Sequence, residues 1–406
     1  MGALSHIRVL DLSRVLAGPW ATQILGDLGA EIIKIEKPGE GDETRHFGPP
    51  FLNNKNGERG DATYFLSANR NKKSVAIDFA KPEGAALIRR LVRRSHVVVE
   101  NYRTGALAKY ALDYPSLTAE NPALIYCSLT GFGHSGPYKE KAGYDFLIQA
   151  MGGLMSITGQ PDGTPGAEPM KVGVAMSDIV AGLYTAIAIL AAIIHQSRTG
   201  EGQEIDMALF DCQAAALANQ AMNYLAGGIV PKRLGNSHPN IVPYQVFATA
   251  DGFLVLAVAN DRQFQRFCRA CGEEALARDP KFVTNNGRVQ NRKELLELFA
   301  PLLRQRTTAQ WIKLLERANV PCGPINRIDQ VFADPQAAAR DLTVEMRHST
   351  GQRLNLVASP VRLSKTPPEY RSAPPRLGEY TEAVLRDILG LGAAAIAELR
   401  RDDVIG

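Results

Sequence analysis

Cysteine is scarce in this chain: five among 406 residues, at 127, 212, 268, 271 and 322. An odd number without paired spacing provides no disulfide framework. Cys268-Arg-Ala-Cys271 is a lone CxxC inside a helical pattern, with no second pair and no histidine at ligand spacing. A zinc or redox site is therefore not expected there. The seven histidines include no pair at metal spacing, and His134, His195 and His238 read as loop or helix-end residues. No metal is expected. A GxSxG elbow and an HExxH helix are both missing, which removes the usual local signatures of serine hydrolases and zinc peptidases. Charge of one sign is also lacking. The net charge is +4, with no dense Lys/Arg stripe, so nucleic acid is not an expected partner, although a small polyanion is. The amino terminus lacks a charged segment followed by an apolar one, and His6 breaks the myristoylation pattern after Gly2. A cytoplasmic, reducing location is expected. Internal repeats and low-complexity tracts are absent.

What is present is ample core material. With 45% hydrophobic and 22% charged residues, a chain of this length is expected to divide into two domains. The first half alternates strand and helix. Ile7 to Leu12, Ile32 to Ile35, Val75 to Ile77, Val97 to Val99 and Leu124 to Leu129 read as strands. Trp20 to Leu28 and Pro82 to Arg94 read as helices between them. That order predicts an α/β fold, a doubly wound Rossmann-like parallel sheet with helices on both faces. Gln203 to Met207 supplies a further strand after a long apolar stretch. Beyond a polar connector near Pro231 to Pro243, the runs Tyr244 to Ala248 and Phe253 to Val258 flank Asp251-Gly252 as a hairpin. Helical segments follow up to Ala318, one of them Gln263 to Cys271, and a final helix is expected near Tyr380 to Leu389.

The long apolar stretch, Val172 to Ile194, holds one charged residue, Asp178. Its length suits a membrane span, but the aspartate would cost roughly 2.5–3.5 kcal/mol on insertion scales. No second span accompanies it, so a buried core helix and no membrane partner are expected. Ser177-Asp178 falls where that helix starts. Free N–H groups and the partial positive charge of a helix start stabilise an ionised carboxylate. Asp178 therefore reads either as a capping residue or as a shielded nucleophile.

Gly131-Phe-Gly133-His-Ser-Gly136 matches GxGxxG formally. Pro137 follows at once, with no strand and acid in register, so the segment reads as a loop and not as a dinucleotide site.

Several short motifs occur in one shared order. They are Leu10-Asp-Leu-Ser-Arg-Val-Leu-Ala-Gly-Pro19, Gly29-Ala-Glu-Ile-Ile-Lys-Ile-Glu36, Asn71-Lys-Lys-Ser74, Glu100-Asn-Tyr-Arg103, Ser128-Leu-Thr-Gly-Phe-Gly133 and Arg198-Thr-Gly-Glu-Gly-Gln203. Gly235-Asn-Ser-His-Pro239 and Pro321-Cys-Gly-Pro324 extend the series over nearly the whole chain. The sequence resembles the family III CoA-transferases, a superfamily that also includes α-methylacyl-CoA racemases. Within it the chain looks most like the succinyl-CoA:dicarboxylate branch of the glutarate type.

The resemblance implies coenzyme A as the carried group, an acyl-CoA and a free carboxylic acid as substrates, and an interlocked homodimer. It implies a large domain made of residues 1–225 and 325–406, with 226–324 as a smaller α+β domain. Asp178 matches the catalytic aspartate of the transferases. Leu16 and Ala17 resemble the loop beside the nucleotide, and Lys37 and Lys109 stand where phosphates are met. Ile77, Asp78 and Phe79, with Asn101, Tyr102 and Arg103, match adenine- and ribose-side contacts. Lys141, Gly143, Tyr144 and Asp145 match the segment beside the pantetheine end. Racemase is the alternative within the superfamily. Its proton-moving histidine precedes an aspartate after glycine, and here that stretch reads Gly143-Tyr144-Asp145. A phenol, with an ordinary pKa of about 10, is a poor base near neutral pH. A non-catalytic CoA-binding protein is an alternative of another class, and the retained aspartate speaks against it. Lys232, Arg233 and His238 are open candidates for a second substrate carboxylate.

Overall fold

The computed structural model describes residues 2–53, 57 and 59–406. Six strands form one parallel sheet: β1 (Arg8–Asp11), β2 (Glu31–Glu36), β3 (Lys72–Ala76), β4 (Val97–Glu100), β5 (Ile125–Thr130) and β6 (Gln203–Ala208). Their spatial order is β3-β2-β1-β4-β5-β6. The chain starts in the middle, winds to one edge, returns, and winds to the other. This is the Rossmann order, and it opens a crevice between β1 and β4 at their carboxyl ends.

Side-chain alternation explains why both faces are covered. Val9, Ile32, Val97, Val99, Ile125 and Cys127 point to one face, where they meet Leu25 of α1 (Ala17–Asp27) and Ile189 and Ile193 of the long helix Met176–Thr199. Leu10, Ile33, Val75, Val98 and Tyr126 point to the other, against Ile88 and Leu91 of α2 (Pro82–Val92). The helices Thr381–Asp387 and Ala393–Arg401 add Val384, Leu385 and Ile396 to that second core. The second of these helices was not expected from the sequence. It follows the first after only Ile388-Leu-Gly-Leu-Gly392.

α3 (Asp145–Met151) precedes the long helix, labelled α4 from here on. Gly200, at φ +78°, ends α4 in the left-handed conformation that glycine adopts without strain. α4 is the one helix among the described residues that is long and apolar enough to span a membrane, and 44% of its most apolar window is buried. One side packs on α1. There a Cβ at Gly182 would lie 2.7 Å from the Ala17 carbonyl oxygen, so the close crossing depends on glycine. The expectation of a fully buried helix is corrected on the opposite side, where Leu183, Tyr184, Ile187 and Ile194 are exposed.

The chain divides into two compact units, residues 1–154, 171–229 and 335–406, and residues 155–170 with 230–334. The sequence division at 225 and 325 did not assign 155–170 to the smaller unit. Hydrogen bonds tie that segment to the smaller unit: Gly235 N–H donates to Gly159 O at 3.1 Å and Arg233 Nε to Gln160 O at 3.2 Å. The smaller unit carries the hairpin Tyr244–Ala248 and Phe253–Ala257, extended by Cys322–Pro324 into a three-stranded sheet. Phe264, Phe267, Phe299 and Trp311 fill its core. The Cys268 and Cys271 thiols lie on the helix Asp261–Cys271, and burial pushes both up to about 12.

Candidate active site

The loops after β1, β2, β3, β4 and β5 converge at the carboxyl edge of the sheet. β1 leads into Asp11, which is fully buried. Its carboxylate accepts from Ser13 Oγ at 2.5 Å and Thr22 Oγ1 at 2.6 Å and pairs with the buried Lys72 ammonium at 3.1 Å. Burial, partly offset by Asp11, lowers Lys72 to about 8. Beside it, the buried Lys34 ammonium pairs with Asp42 at 2.9 Å and donates to Ser13 O at 2.8 Å. These ion pairs are buried, so each charge depends on its partner staying in place.

Two cavities lie on this base. The outer one, of about 490 Å³, is lined by Lys37, Ile77, Asp78, Phe79, Tyr102 and Lys109 among others. The inner one, of about 190 Å³, is lined by Leu16, Ala17, Asn101, Tyr102, Arg103, Lys141, Gly143, Tyr144, Asp145 and Asp178 among others. Every residue carried over by the resemblance thus borders one or the other, whereas the connector candidates Lys232, Arg233 and His238 border neither. Leu16, Ala17, Asn101 and Arg103 lie on the Asp178 side, not with the outer group. The loop after β4 runs along both cavities, and the loop after β3 borders the outer one alone.

Arg14, Glu43 and Tyr102 border both cavities. The Arg14 guanidinium lies 4.5 Å from the centre of the Tyr102 ring and pairs with Glu43 at 2.5 Å. Phe79 meets Tyr102 and Tyr110 edge-on, with ring centres 5.7 and 5.5 Å apart. This aromatic group forms one wall of the outer cavity. Lys37 is exposed and paired with Glu40 at 2.5 Å, while the Lys109 ammonium lies 4.7 Å from the Tyr110 ring centre.

Asp178 is in the first turn of α4 and only 8% exposed. Its neighbourhood corrects the sequence expectation. The helix-start N–H groups do not support the Asp178 carboxylate. Those of Ser177 and Asp178 point to Asp145 Oδ1 at 2.8 and 3.4 Å. Asp145 Oδ2 also accepts from Gln149 Nε2 at 2.8 Å, and Ser177 Oγ donates to Gln213 Oε1 at 2.8 Å. Asp145 therefore caps the helix and Asp178 is left beside it. Burial, and then the Asp145 charge, raise the Asp178 carboxyl to about 7. Like-charge proximity and desolvation both disfavour the ionised form. Tyr64, which the sequence did not mark, feels the same charges: burial, then Asp178 and Asp145, push its phenol up.

Gly143 has a packing role as well. A Cβ there would lie 2.4 Å from Gly131 Cα, so two backbones touch at the rim of the inner cavity. The Gly131–Gly136 segment is an irregular loop of bends, in which Gly133 N–H donates to Thr130 Oγ1 at 2.8 Å. Of the connector candidates, Arg233 is bonded to Asp162 and Gln160 O, and His238 Nδ1 accepts from Asn240 N–H at 3.0 Å. Neither is an uncommitted cation. Among the described residues no group of His, Cys, Asp and Glu is placed to hold a metal ion.

A two-part crevice at a Rossmann switch point, with lysines outside and a buried carboxylate within, suits an elongated anionic ligand that reacts at one end. The family comparison agrees. The sequence profile of CoA-transferase family III matches residues 4–381, and the chain belongs to that family. It is 51% identical over 385 residues to the succinate–glutarate CoA-transferase of Agrobacterium fabrum, covering 95% of each chain. It is 42% identical over 402 residues to the human succinyl-CoA:glutarate CoA-transferase, covering 99% of this chain and 90% of that one. The crystal structure of a CAIB/BAIF family protein from Brucella suis superposes with a TM-score of 0.84 at 48% identity, over 95% of this chain and 99% of that one.

Proposed function

We propose that the chain transfers coenzyme A from succinyl-CoA to a free dicarboxylic acid such as glutarate, with Asp178 as the covalent carrier. The observation that carries this reading is the buried Asp178 carboxyl at the inner end of a crevice whose outer end holds Lys37 and Lys109. The named relatives support the substrate class.

The ionised Asp178 oxygen attacks the thioester carbonyl. The C–S bond breaks, CoA leaves as thiolate, and a mixed anhydride remains on Asp178. The thiolate then attacks the aspartyl carbonyl, releasing the donor acid as carboxylate and leaving an aspartyl–CoA thioester. The acceptor carboxylate attacks that thioester and expels the thiolate. Attack of the thiolate on the acceptor's acyl carbon gives the new thioester and regenerates Asp178. One hard exchange becomes a series of easier ones. The start of α1 carries no capping side chain, and Leu16 and Ala17 border the inner cavity. Their N–H groups are suited to the oxyanions that form on each attack. Lys37 and Lys109 would meet phosphates, and the Phe79 and Tyr110 rings the base. Racemisation has less support, because the position of the racemase histidine holds Tyr144, a 72% exposed phenol in place of an imidazole.

We further read the chain as one half of an interlocked homodimer in the cytoplasm. The exposed apolar side of α4 supports the dimer, together with Met222, Tyr224 and Leu225. The deciding experiment is a panel of acyl-CoA donors and free acids, with the CoA esters read by mass spectrometry. Succinyl-CoA with glutarate should yield glutaryl-CoA, Asp178→Ala should yield none, and hydroxylamine trapping should modify Asp178 alone. Substantial transfer by the Ala variant would overturn the role of Asp178.

A further inference from the structure

The turn that presents Leu16 and Ala17 to Asp178 is strained. Val15 has a φ of +68°, a left-handed conformation that a β-branched side chain adopts only under constraint. The constraints on it are visible. Asn101 clasps the preceding residue from both sides, with Oδ1 accepting from Arg14 N–H at 2.8 Å and Nδ2 donating to Arg14 O at 2.7 Å. The Val15 N–H points between the two oxygens of Asp42, 3.2 Å from each. Asp42 is itself only 1% exposed and is fixed by Lys34 at 2.9 Å, Thr44 N–H at 3.0 Å and Thr44 Oγ1 at 2.7 Å. Immediately after Val15 the chain enters α1 through Leu16, with no side chain capping the helix.

We propose that Asp42 is a positioning residue for the transfer reaction: by accepting the Val15 N–H it holds the strained turn that aims the start of α1 at the acyl carbon bound on Asp178. This rests on the transferase reading above and assigns Asp42 a role through the backbone rather than through the reacting atoms. Asp42 works through backbone geometry, so its loss should affect the reaction steps more than binding. Against the effect of burial, the Lys34 ammonium and the Thr44 bonds hold its carboxyl at about 2, so it stays ionised at any working pH.

The test is a pair of changes assayed in the full-length enzyme. Asp42→Asn should lower kcat by roughly 10- to 100-fold, the range for a misplaced oxyanion donor, with KM for acyl-CoA moving less than about threefold. Adding Val15→Gly should recover at least about fivefold of that loss, because glycine adopts the positive φ without needing the anchor. An Asp42→Asn enzyme with normal kcat, one impaired in KM alone, or a double variant as slow as the single would each overturn the proposal. Crystal structures of both variants give a readout independent of activity. Position 15 should leave positive φ in Asp42→Asn and keep it in the double variant. If even the unaltered enzyme transfers no CoA, the transferase reading fails, and these φ values alone decide whether Asp42 holds the turn; an unchanged φ in Asp42→Asn refutes it.

Discussion

Replacing Asp178 by asparagine should abolish transfer and also make the protein more stable. A carboxyl raised from 3.8 to about 7 binds a proton more tightly when folded than when unfolded. Between about pH 4 and 7 the folded state therefore holds more protons, and its stability falls as pH rises through that window. The shift of roughly three pKa units corresponds to about 4 kcal/mol lost above pH 7. Asparagine occupies the same space without the charge, and its amide carries a burial cost close to that of the protonated carboxyl. With an unfolding entropy of about 2.1 cal/mol/K per residue, that difference is a Tm increase of about 5 °C above pH 7. The assay is calorimetry or thermal fluorescence of both proteins from pH 4 to 9. The gap should be near zero at pH 4, open through pH 7 and stay level beyond. A constant gap across pH, or an Asn variant that melts lower at pH 8, would refute the claim that Asp178 is held at electrostatic expense.

The same shift predicts that kcat/KM for succinyl-CoA falls as pH drops through about 7, because only the ionised carboxylate attacks. Asp145→Asn removes the neighbouring charge and should move that profile to lower pH, as steady-state rates across pH would show. Gly182→Ala places a Cβ 2.7 Å from Ala17 O, so it should cost about 1–3 kcal/mol by denaturant unfolding and reduce transfer by shifting Ala17. Lys37→Ala and Lys109→Ala should raise KM for acyl-CoA with little change in kcat, and narrow the preference for CoA over its 3′-dephospho form. Static light scattering should find a dimer down to the lowest concentration at which the protein remains folded.

The sheet was legible because its strands are continuous apolar runs with alternate residues for each face, and because helical spacing lies between them. Asp178 was legible for the opposite reason, as one charge in a long apolar stretch. Its electrostatic setting was not. The group that takes the helix-start N–H bonds is Asp145, far away in sequence, and no local rule brings the two carboxyls together. Asp42, Arg14, Glu43 and Tyr64 were missed on similar grounds, since each gains its role from loops that meet only at the carboxyl edge of the folded sheet. Val15 could not be found from sequence at all, because a β-branched residue is the last one expected at positive φ. The attachment of residues 155–170 to the smaller unit rests on long-range bonds from Arg233 and Gly235 that composition does not encode.

The discontinuous larger unit has a consequence for how the protein is made. Arg45, paired with Glu36 at 2.8 Å, also donates to Pro375 O, 330 residues later, and Asp78 N–H donates to Val404 O at 2.9 Å. Asp78 borders the outer cavity, so that wall cannot be finished until residues near 404 have left the ribosome. The smaller unit holds no residue beyond 334. Synthesis should therefore release a complete second unit while the first, begun earlier, still exposes an open sheet edge. Contacts of such long sequence separation form slowly and leave the nascent chain sticky. Stalled chains ending after residue 340 should resist protease in the smaller unit and be cut in the larger one, an order of maturation that runs opposite to the order of translation.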